Sequence, residues 1–498
     1  MPASPLLSYL STHPSFDPET VAYIASLQAI VRSAPEIARS IVRELEKQRS
    51  NIKLIASENY CSLAVQLAMG NLLTDKYAEG YPRHRFYAGN DNVDDIEELA
   101  QAEARGLFGA DYANVQPHCG ADANLMAYWA ILTTRVETPA LEKLGATNLY
   151  ELSDLQWADL RATLGNQRLL GLNYYSGGHL THGYRYNLSA RMFDIHSYAV
   201  RSDTFLLDYD EIQAKAIEVR PLILLAGYSA YPRRIDFRRM RAIADSVGAV
   251  LMVDMAHFAG LVAGGVFTGD FSPFPHAHVV TTTTHKTLRG PRAGIVFSTS
   301  EFADALDKGC PLMMGGPLPH VVAAKAVALR EARSEEFKAY SRRIVENAQA
   351  LADACMAAGL TVVTGGTDNH LLLVNVVPLG LTGRQAESAL HSCGITLNRN
   401  SLPFDRNGPW YTSGLRMGTP AVTTLGMGPA EMREIGDVIG LVLAATKPGK
   451  NPDGTVSKAK YQVDPVARSE ARKRVTALLD RFPVYPQLDL PFMKEAFC

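Results

Sequence analysis

The 498-residue sequence is short of several features, and each shortage removes a class of function. Its six cysteines (Cys61, Cys119, Cys310, Cys355, Cys393 and Cys498) are scattered, and none forms C-x-x-C. That pattern gives no metal-site spacing and suits a reducing, cytoplasmic setting. Neither sign of charge dominates: 49 Lys and Arg stand against 51 Asp and Glu. No overall field therefore draws the chain to nucleic acid or to an anionic membrane. Residues 1–31 hold no lysine or arginine, so a secretory leader with a basic start is not expected. No apolar run reaches the length of a membrane span, and repeats and low-complexity tracts are missing. What is there is ordinary for a globular enzyme: 47% apolar and 20% charged residues, in a chain too long for one compact core.

The opening 50 residues read as an arm, broken at its start by Pro2, Pro5, Pro14 and Pro18, with a helix over 35–49. The middle alternates strand and helix signals. Apolar runs at 223–226, 249–253, 279–284 and 294–297 read as buried strands. Between the first two, Phe237, Met240, Ile243, Ala244 and Val247 recur at helical spacing, with Gly248 placed for a C-cap. Strands spaced by helices predict an α/β fold with a mostly parallel sheet, and functional groups just past the strand C-termini. Helices are expected over 321–332 and 335–358, the second leading into a smaller α+β domain. There a strand is expected at 370–377, helices at 384–392 and 429–445, and an exposed loop at 447–457. Asp464-Pro465 has the form of a helix start. The expected division is an N-terminal arm (1–70), a large domain (71–340) with a helical insertion near 135–170, and a C-terminal domain (341–498).

Four segments carry chemistry. In residues 278–294 a threonine-rich strand runs into His285-Lys286. A lysine just past a buried strand is partly desolvated, which favours the neutral amine needed for a Schiff base. In residues 249–262 Asp254 ends an apolar strand, where a carboxylate can pair with a pyridinium nitrogen, and His257 follows three residues later. In residues 114–132 Cys119-Gly120-Ala121 opens an apolar helix whose free N–H groups can hold a phosphate. In residues 177–183 the pair Gly177-Gly178 precedes His179, which can lie over a flat ring. Each segment taken singly also reads as ordinary structure: a solvated lysine, a helix-capping aspartate, a plain turn. Their order is the informative feature, because phosphate loop, ring-covering histidine, ring-nitrogen aspartate and lysine each follow a strand. That is the layout of a pyridoxal-phosphate (PLP) site.

These segments closely resemble the serine hydroxymethyltransferase family. The resemblance rests on VVTTTTHKTLRGPRAG (279–294), LIASENY (54–60), KYAEGYP (76–82), LFGADYANVQPHCG (107–120), GGHLTHG (177–183), VDMAHFAGLVA (253–263), GGTDNHLLLV (365–374) and SGLRMGTPA (413–421). It implies a fold-type I, aspartate-aminotransferase-like enzyme. The implied reaction interconverts serine plus tetrahydrofolate with glycine plus 5,10-methylenetetrahydrofolate. The resemblance further implies that Lys286 holds PLP, Asp254 pairs with the ring nitrogen, His179 stacks on the ring, and Ser229 and His257 flank its phenolic oxygen. Cys119 and Gly120 are implied to bind the phosphate, with Gly316 from a second subunit. Arg416 and Ser57 are implied for the substrate carboxylate, and Glu79 for proton transfer. Tyr77 and Tyr87 would line the substrate pocket, Tyr77 and Glu79 being supplied by the neighbouring subunit of a homodimer. Tyr174, Gly178, His179, Leu180 and Asn400 are implied on the folate side.

The sequence departs from that family at several points. Cys119-Gly120-Ala121-Asp122 stands where Ser-Gly-Ser-Gln is usual, losing hydroxyl donors and adding a negative charge. Only Gly315 and Gly316 remain of a longer glycine run, Phe86 replaces a tyrosine, and Tyr174 and Ser176 alter the folate segment. These changes keep a folate-independent PLP aldolase or racemase open as an alternative. From a different class, Arg233, Arg234, Arg238, Arg239 and Arg241 could mark an RNA-binding patch, though a solvated helix face explains them more simply.

Overall fold

A computed structural model describes residues 4–498. Two of the four early prolines start helices, Pro14 lies in the bend between those helices, and Pro2 lies outside the described residues. Pro5 and Pro18 are the first residues of Pro5–Thr12 and Pro18–Val31, capped by the Ser4 and Asp17 side chains. A proline there gives up only an N–H that has no helical partner. Helix α1 (Pro35–Arg49) follows as expected. Its buried face packs Val42 and Leu45 with Val484, Leu488 and Phe497, so the two chain ends share one small core.

The central sheet has seven strands: β1 (Tyr112–Asn114), β2 (Arg168–Leu172), β3 (Asp194–Tyr198), β4 (Ile223–Gly227), β5 (Val250–Asp254), β6 (Val279–Thr283) and β7 (Gly294–Ser298). Their spatial order is β1-β7-β6-β5-β4-β2-β3. Strands β4 to β7 are buried at every residue, which is why they appear as unbroken apolar or β-branched runs. Pairing is parallel from β3 through β6. Strand β7 runs antiparallel to both β6 and β1. The segment from β6 to β7 carries Lys286 and has no crossover helix, so the chain can only return beside the strand it left. Helices α2 (Asp91–Phe108), α3 (Gly120–Leu132), α4 (Phe237–Val247) and α5 (Pro319–Glu331) belong to this part of the chain, with Gly248 ending α4 in the left-handed region at φ 71°. The expected excursion is helical: Thr138–Leu144 and Asp154–Gly165 lie between α3 and β2.

Helix α6 (Glu335–Ala357) leads to an antiparallel sheet of β8 (Thr361–Val362), β9 (Leu371–Asn375), β10 (Asn398–Asn400) and β11 (Gly414–Gly418), in the order β8-β9-β11-β10. Helices Gly383–Ser392 and α7 (Pro429–Ala444) form a second core with it, joined by Ile52 and Leu54 from the N-terminal side. The stretch expected as a loop at 447–457 is mostly a hairpin, with Thr446–Lys450 pairing with Val456–Val463. Its Asn451 to Gly454 turn dominates the local composition, and its strands carry exposed lysines in place of an alternating apolar face. Among the described residues no helix is long and apolar enough to cross a membrane.

The arginine cluster at 233–241 is engaged within the chain. Arg233 pairs with Asp368 at 2.8 Å, Arg238 with Asp270 at 3.1 Å, Arg239 with Asp210 at 3.0 Å and Arg241 with Asp245 at 2.8 Å. Arg234 lies over the rings of Phe267 and Phe271.

Candidate active site

The segments singled out in the sequence converge on a cleft of about 590 Å³. Lys286 enters it three residues past β6 and is 9% exposed. Burial lowers its pKa to about 8, Arg416 and Arg292 push the same way, and Asp254 opposes them. A far larger share of its amine is therefore neutral at pH 7 than for a solvated lysine. Its backbone is pinned by Asn59, whose amide donates to the Lys286 carbonyl at 2.9 Å and to the Tyr340 hydroxyl at 2.7 Å.

Asp254 ends β5 and serves two purposes. One carboxylate oxygen accepts from the Ala256 N–H at 3.0 Å, capping the following turn. The other accepts from Asn124 at 2.9 Å and meets the ring of His182 at 3.0 Å. Burial works to raise this carboxyl, but the bond from His182, the nearby imidazoles and Asn124 hold it far below the usual carboxylate range. A fixed anion thus survives inside the protein because its acceptors are filled.

His179 follows β2. Burial lowers its pKa to about 4, and its Nδ1 accepts from the Thr181 N–H at 3.2 Å. The imidazole is neutral, with its tautomer set by that bond. His257 is also kept neutral by burial, and its Nδ1 meets His370 Nε2 at 3.1 Å. At the start of α3, the Cys119 sulfur accepts from the Asp122 N–H at 3.5 Å. A Cβ on Gly120 would sit 2.6 Å from the Thr283 methyl, so the helix start presses against β6. Arg416, in the middle of β11, donates from Nε to Asn398 at 3.0 Å and from Nη1 to the Ser229 carbonyl at 2.6 Å. Ser57, Ser229, Tyr174, Gly178, Leu180 and Asn400 line the same cleft.

Tyr77, Glu79, Tyr87 and Gly316 are not among the residues lining that cleft. They gather elsewhere. The rings of Tyr77 and Tyr87 lie 5.2 Å apart and are 60% and 53% exposed, while Gly316 lies against Tyr77 and the Glu79 N–H. The loop carrying three of them is braced from beneath by buried Arg85, which pairs with Asp94 and Glu97 and donates to the Ala78 and Gly80 carbonyls.

Sequence reasoning missed His182, Asn124 and His370. Faint signals existed. His182 is the second histidine of GGHLTHG, and Asn124 lies four residues after Gly120, on the same helix face.

The serine hydroxymethyltransferase family model matches residues 30–144 and 160–439. The chain belongs to the serine hydroxymethyltransferase family. A relative in Treponema pallidum (strain Nichols), named serine hydroxymethyltransferase, is 61% identical over 500 residues, covering 99% of this chain and 86% of that protein. Relatives of the same name in Salinispora tropica and Mycolicibacterium smegmatis are 57% and 56% identical, each covering 95% of this chain and 99% and 96% of theirs. The unmatched stretch of the family model, 145–159, falls inside the helical excursion. Membership makes this a fold-type I, PLP-dependent transferase that takes tetrahydrofolate as co-substrate.

The residues present fit PLP by the chemistry of their donor set. One cleft offers a mostly desolvated primary amine, a carboxylate held ionised, a neutral imidazole and the N-terminus of a 13-residue helix. Those groups answer in turn to an aldehyde, a protonated ring nitrogen, a ring face and a phosphate. His285, which also lines the cleft, has a buried Nδ1 with no partner among the described residues.

Proposed function

We propose that this cleft is where the chain carries out its family's reaction, with each residue in the role set out below. The chain interconverts serine and tetrahydrofolate with glycine and 5,10-methylenetetrahydrofolate. PLP, bound there, supplies an electron sink for bond breaking at the substrate's α-carbon. Lys286 holds the cofactor covalently, its neutral amine made available by burial. Asp254 keeps a proton on the ring nitrogen, and His179 covers one ring face. Ser229 and His257 stand at the phenolic oxygen. Cys119 and Gly120 receive the phosphate at the start of α3.

Arg416 binds the substrate carboxylate. Its Nε and one Nη1 proton are committed to Asn398 and Ser229, and three of its five N–H groups remain. Ser57 adds a hydroxyl. Tyr174, Gly178, Leu180 and Asn400 receive the folate. Glu79 moves protons at the substrate hydroxyl and at folate, and Tyr77 and Tyr87 close the pocket. The exposed rings of Tyr77 and Tyr87 lie together, with half-buried Gly316 beside Tyr77 and the Glu79 N–H, which favours a homodimer in which they complete the neighbour's site. The arm (1–70), large domain (71–340) and C-terminal domain (341–498) belong to the same reading, with α6 spanning the second boundary. So does a cytoplasmic location, consistent with six unpaired cysteines.

The observation that carries the proposal is the convergence of Lys286, Asp254, His179 and Arg416 on one cleft from four separate segments. The test is serine cleavage with and without tetrahydrofolate, in the wild type and in Asn400→Ala. Cleavage should rise with folate, and Asn400→Ala should weaken folate while leaving serine binding alone. Equal rates with and without folate would instead favour the folate-independent aldolase.

A further inference from the structure

Lys325 is a buried cation that the mechanism above does not use. It lies on α5, is 1% exposed, and directs its ammonium at three backbone carbonyls. Those are Val115, Pro117 at 3.0 Å and Gly294 at 3.0 Å. An ammonium has three N–H donors, so three acceptors are matched only by the charged form. Burial pulls its pKa down, opposed first by Glu97 and then by Cys310 and Asp122. The site fits the charged form, because neutral lysine would leave a lone pair facing a carbonyl.

The three carbonyls belong to the two segments that shape the phosphate end of the cleft. Val115 and Pro117 lead from β1 to Cys119, and Gly294 opens β7 just after the Lys286 loop. The same segments also meet directly. Gly294 N–H donates to the Pro117 carbonyl at 3.0 Å. A Cβ on Gly294 would lie 2.4 Å from the Cys119 carbonyl oxygen. Around them, Gln116 donates to Glu97 at 2.6 Å and to the Gly80 carbonyl at 2.9 Å, extending the bracing to the loop of Glu79. This phosphate end is poor in its own donors: Ala121 has no hydroxyl, and Asp122 brings a negative charge.

We propose that Lys325 is a positioning residue of the phosphate cradle, tying the Val115–Cys119 and Gly294 segments together and setting a fixed positive charge beneath the phosphate. The inference rests on the PLP reading above. Its test uses the full chain stripped of cofactor, as wild type and as Lys325→Gln, titrated separately with PLP and with pyridoxal, which lacks the phosphate. Lys325→Gln should weaken PLP at least about tenfold and pyridoxal by no more than about threefold, since the lost charge and the loosened Val115–Cys119 segment both act at the phosphate. Equal weakening of both, or no weakening of PLP, overturns the proposal. Should Lys325→Gln fail to fold, hydrogen exchange on the wild type decides instead, at a level of inorganic phosphate that competes with PLP. Amides of 115–121 and 293–296 should slow together, and slowing confined to 119–122 overturns the proposal. Failure of the wild type to bind PLP at all would count against the proposed function and not against this step.

Discussion

Arg416 offers the most quantitative prediction. The guanidinium is anchored on its inner side by Asn398 and the Ser229 carbonyl, and this fixes the plane in which its remaining N–H groups face the cleft. Burial lowers its pKa to about 10, which still leaves it charged at neutral pH. Two N–H groups can grip a carboxylate side by side, each such charge-assisted bond contributing about 1.5–3 kcal/mol. Arg416→Ala removes both, so serine binding should weaken by about 3–6 kcal/mol, or roughly 10²–10⁴-fold. Arg416→Lys keeps the charge but loses the fork, and about 10–100-fold is expected. Asn398→Ala removes one anchor worth about 1 kcal/mol, or roughly fivefold. The assay is titration of the cofactor-loaded protein with serine, without folate, followed by the cofactor's absorbance. PLP affinity, measured separately, should stay within about threefold in all three variants, because each leaves the side chains assigned to PLP in place and, among those residues, Arg416 touches only the backbone carbonyl of Ser229. A lysine variant that bound serine like the wild type, or parallel losses of serine and PLP affinity, would refute the reasoning.

Two further consequences concern stability and the cradle. The folded-state pKa of Lys286 falls from 10.5 to about 8, so between those values the unfolded chain binds more protons and stability rises with pH. Below pH 8 the charged amine costs the cofactor-free protein about 3 kcal/mol. Lys286→Met should therefore raise the urea midpoint of the stripped protein at pH 7, and that gain should fade as pH climbs from about 8 to about 10.5. A midpoint that fell, or a gain independent of pH, would contradict the desolvation argument. Gly294→Ala would place a methyl 2.4 Å from the Cys119 carbonyl oxygen. Overpacking of that kind costs about 1–3 kcal/mol, and PLP affinity should drop with stability; unchanged PLP affinity would show that the cradle tolerates the shift.

The position of the cleft was legible where several strand ends each carry a polar residue in the same order along the chain. Asp254 and Lys286 follow runs whose burial is written in their composition, and the structure places both in the cleft. Elements with strong periodicity or capping, such as α4 with Gly248, were equally readable. The antiparallel course of β7 was not, because strand direction depends on what the connecting segment can span. The hairpin at 446–463 was hidden because solvent-facing strands carry lysine and glycine in place of an alternating pattern. His182, Asn124 and Lys325 were missed for a different reason. Their work is done through contacts 72, 130 and 210 or fewer positions away, with Asp254, Asp254 and Val115. A single sequence does not display such long-range pairing. Glu79, Tyr77 and Tyr87 stand apart from the cleft of their own chain, so their assignment to a site rests on the family resemblance and on the exposed pair of rings that Tyr77 and Tyr87 form.

Every role proposed for the cleft follows from Lys286 being the lysine that holds the cofactor. The direct measurement is to saturate the protein with PLP, reduce it with borohydride, digest it and locate the pyridoxyl group by mass spectrometry. The adduct should sit on the peptide containing Lys286 and disappear in Lys286→Met. An adduct on another lysine, or none on that peptide after saturation, would contradict the account.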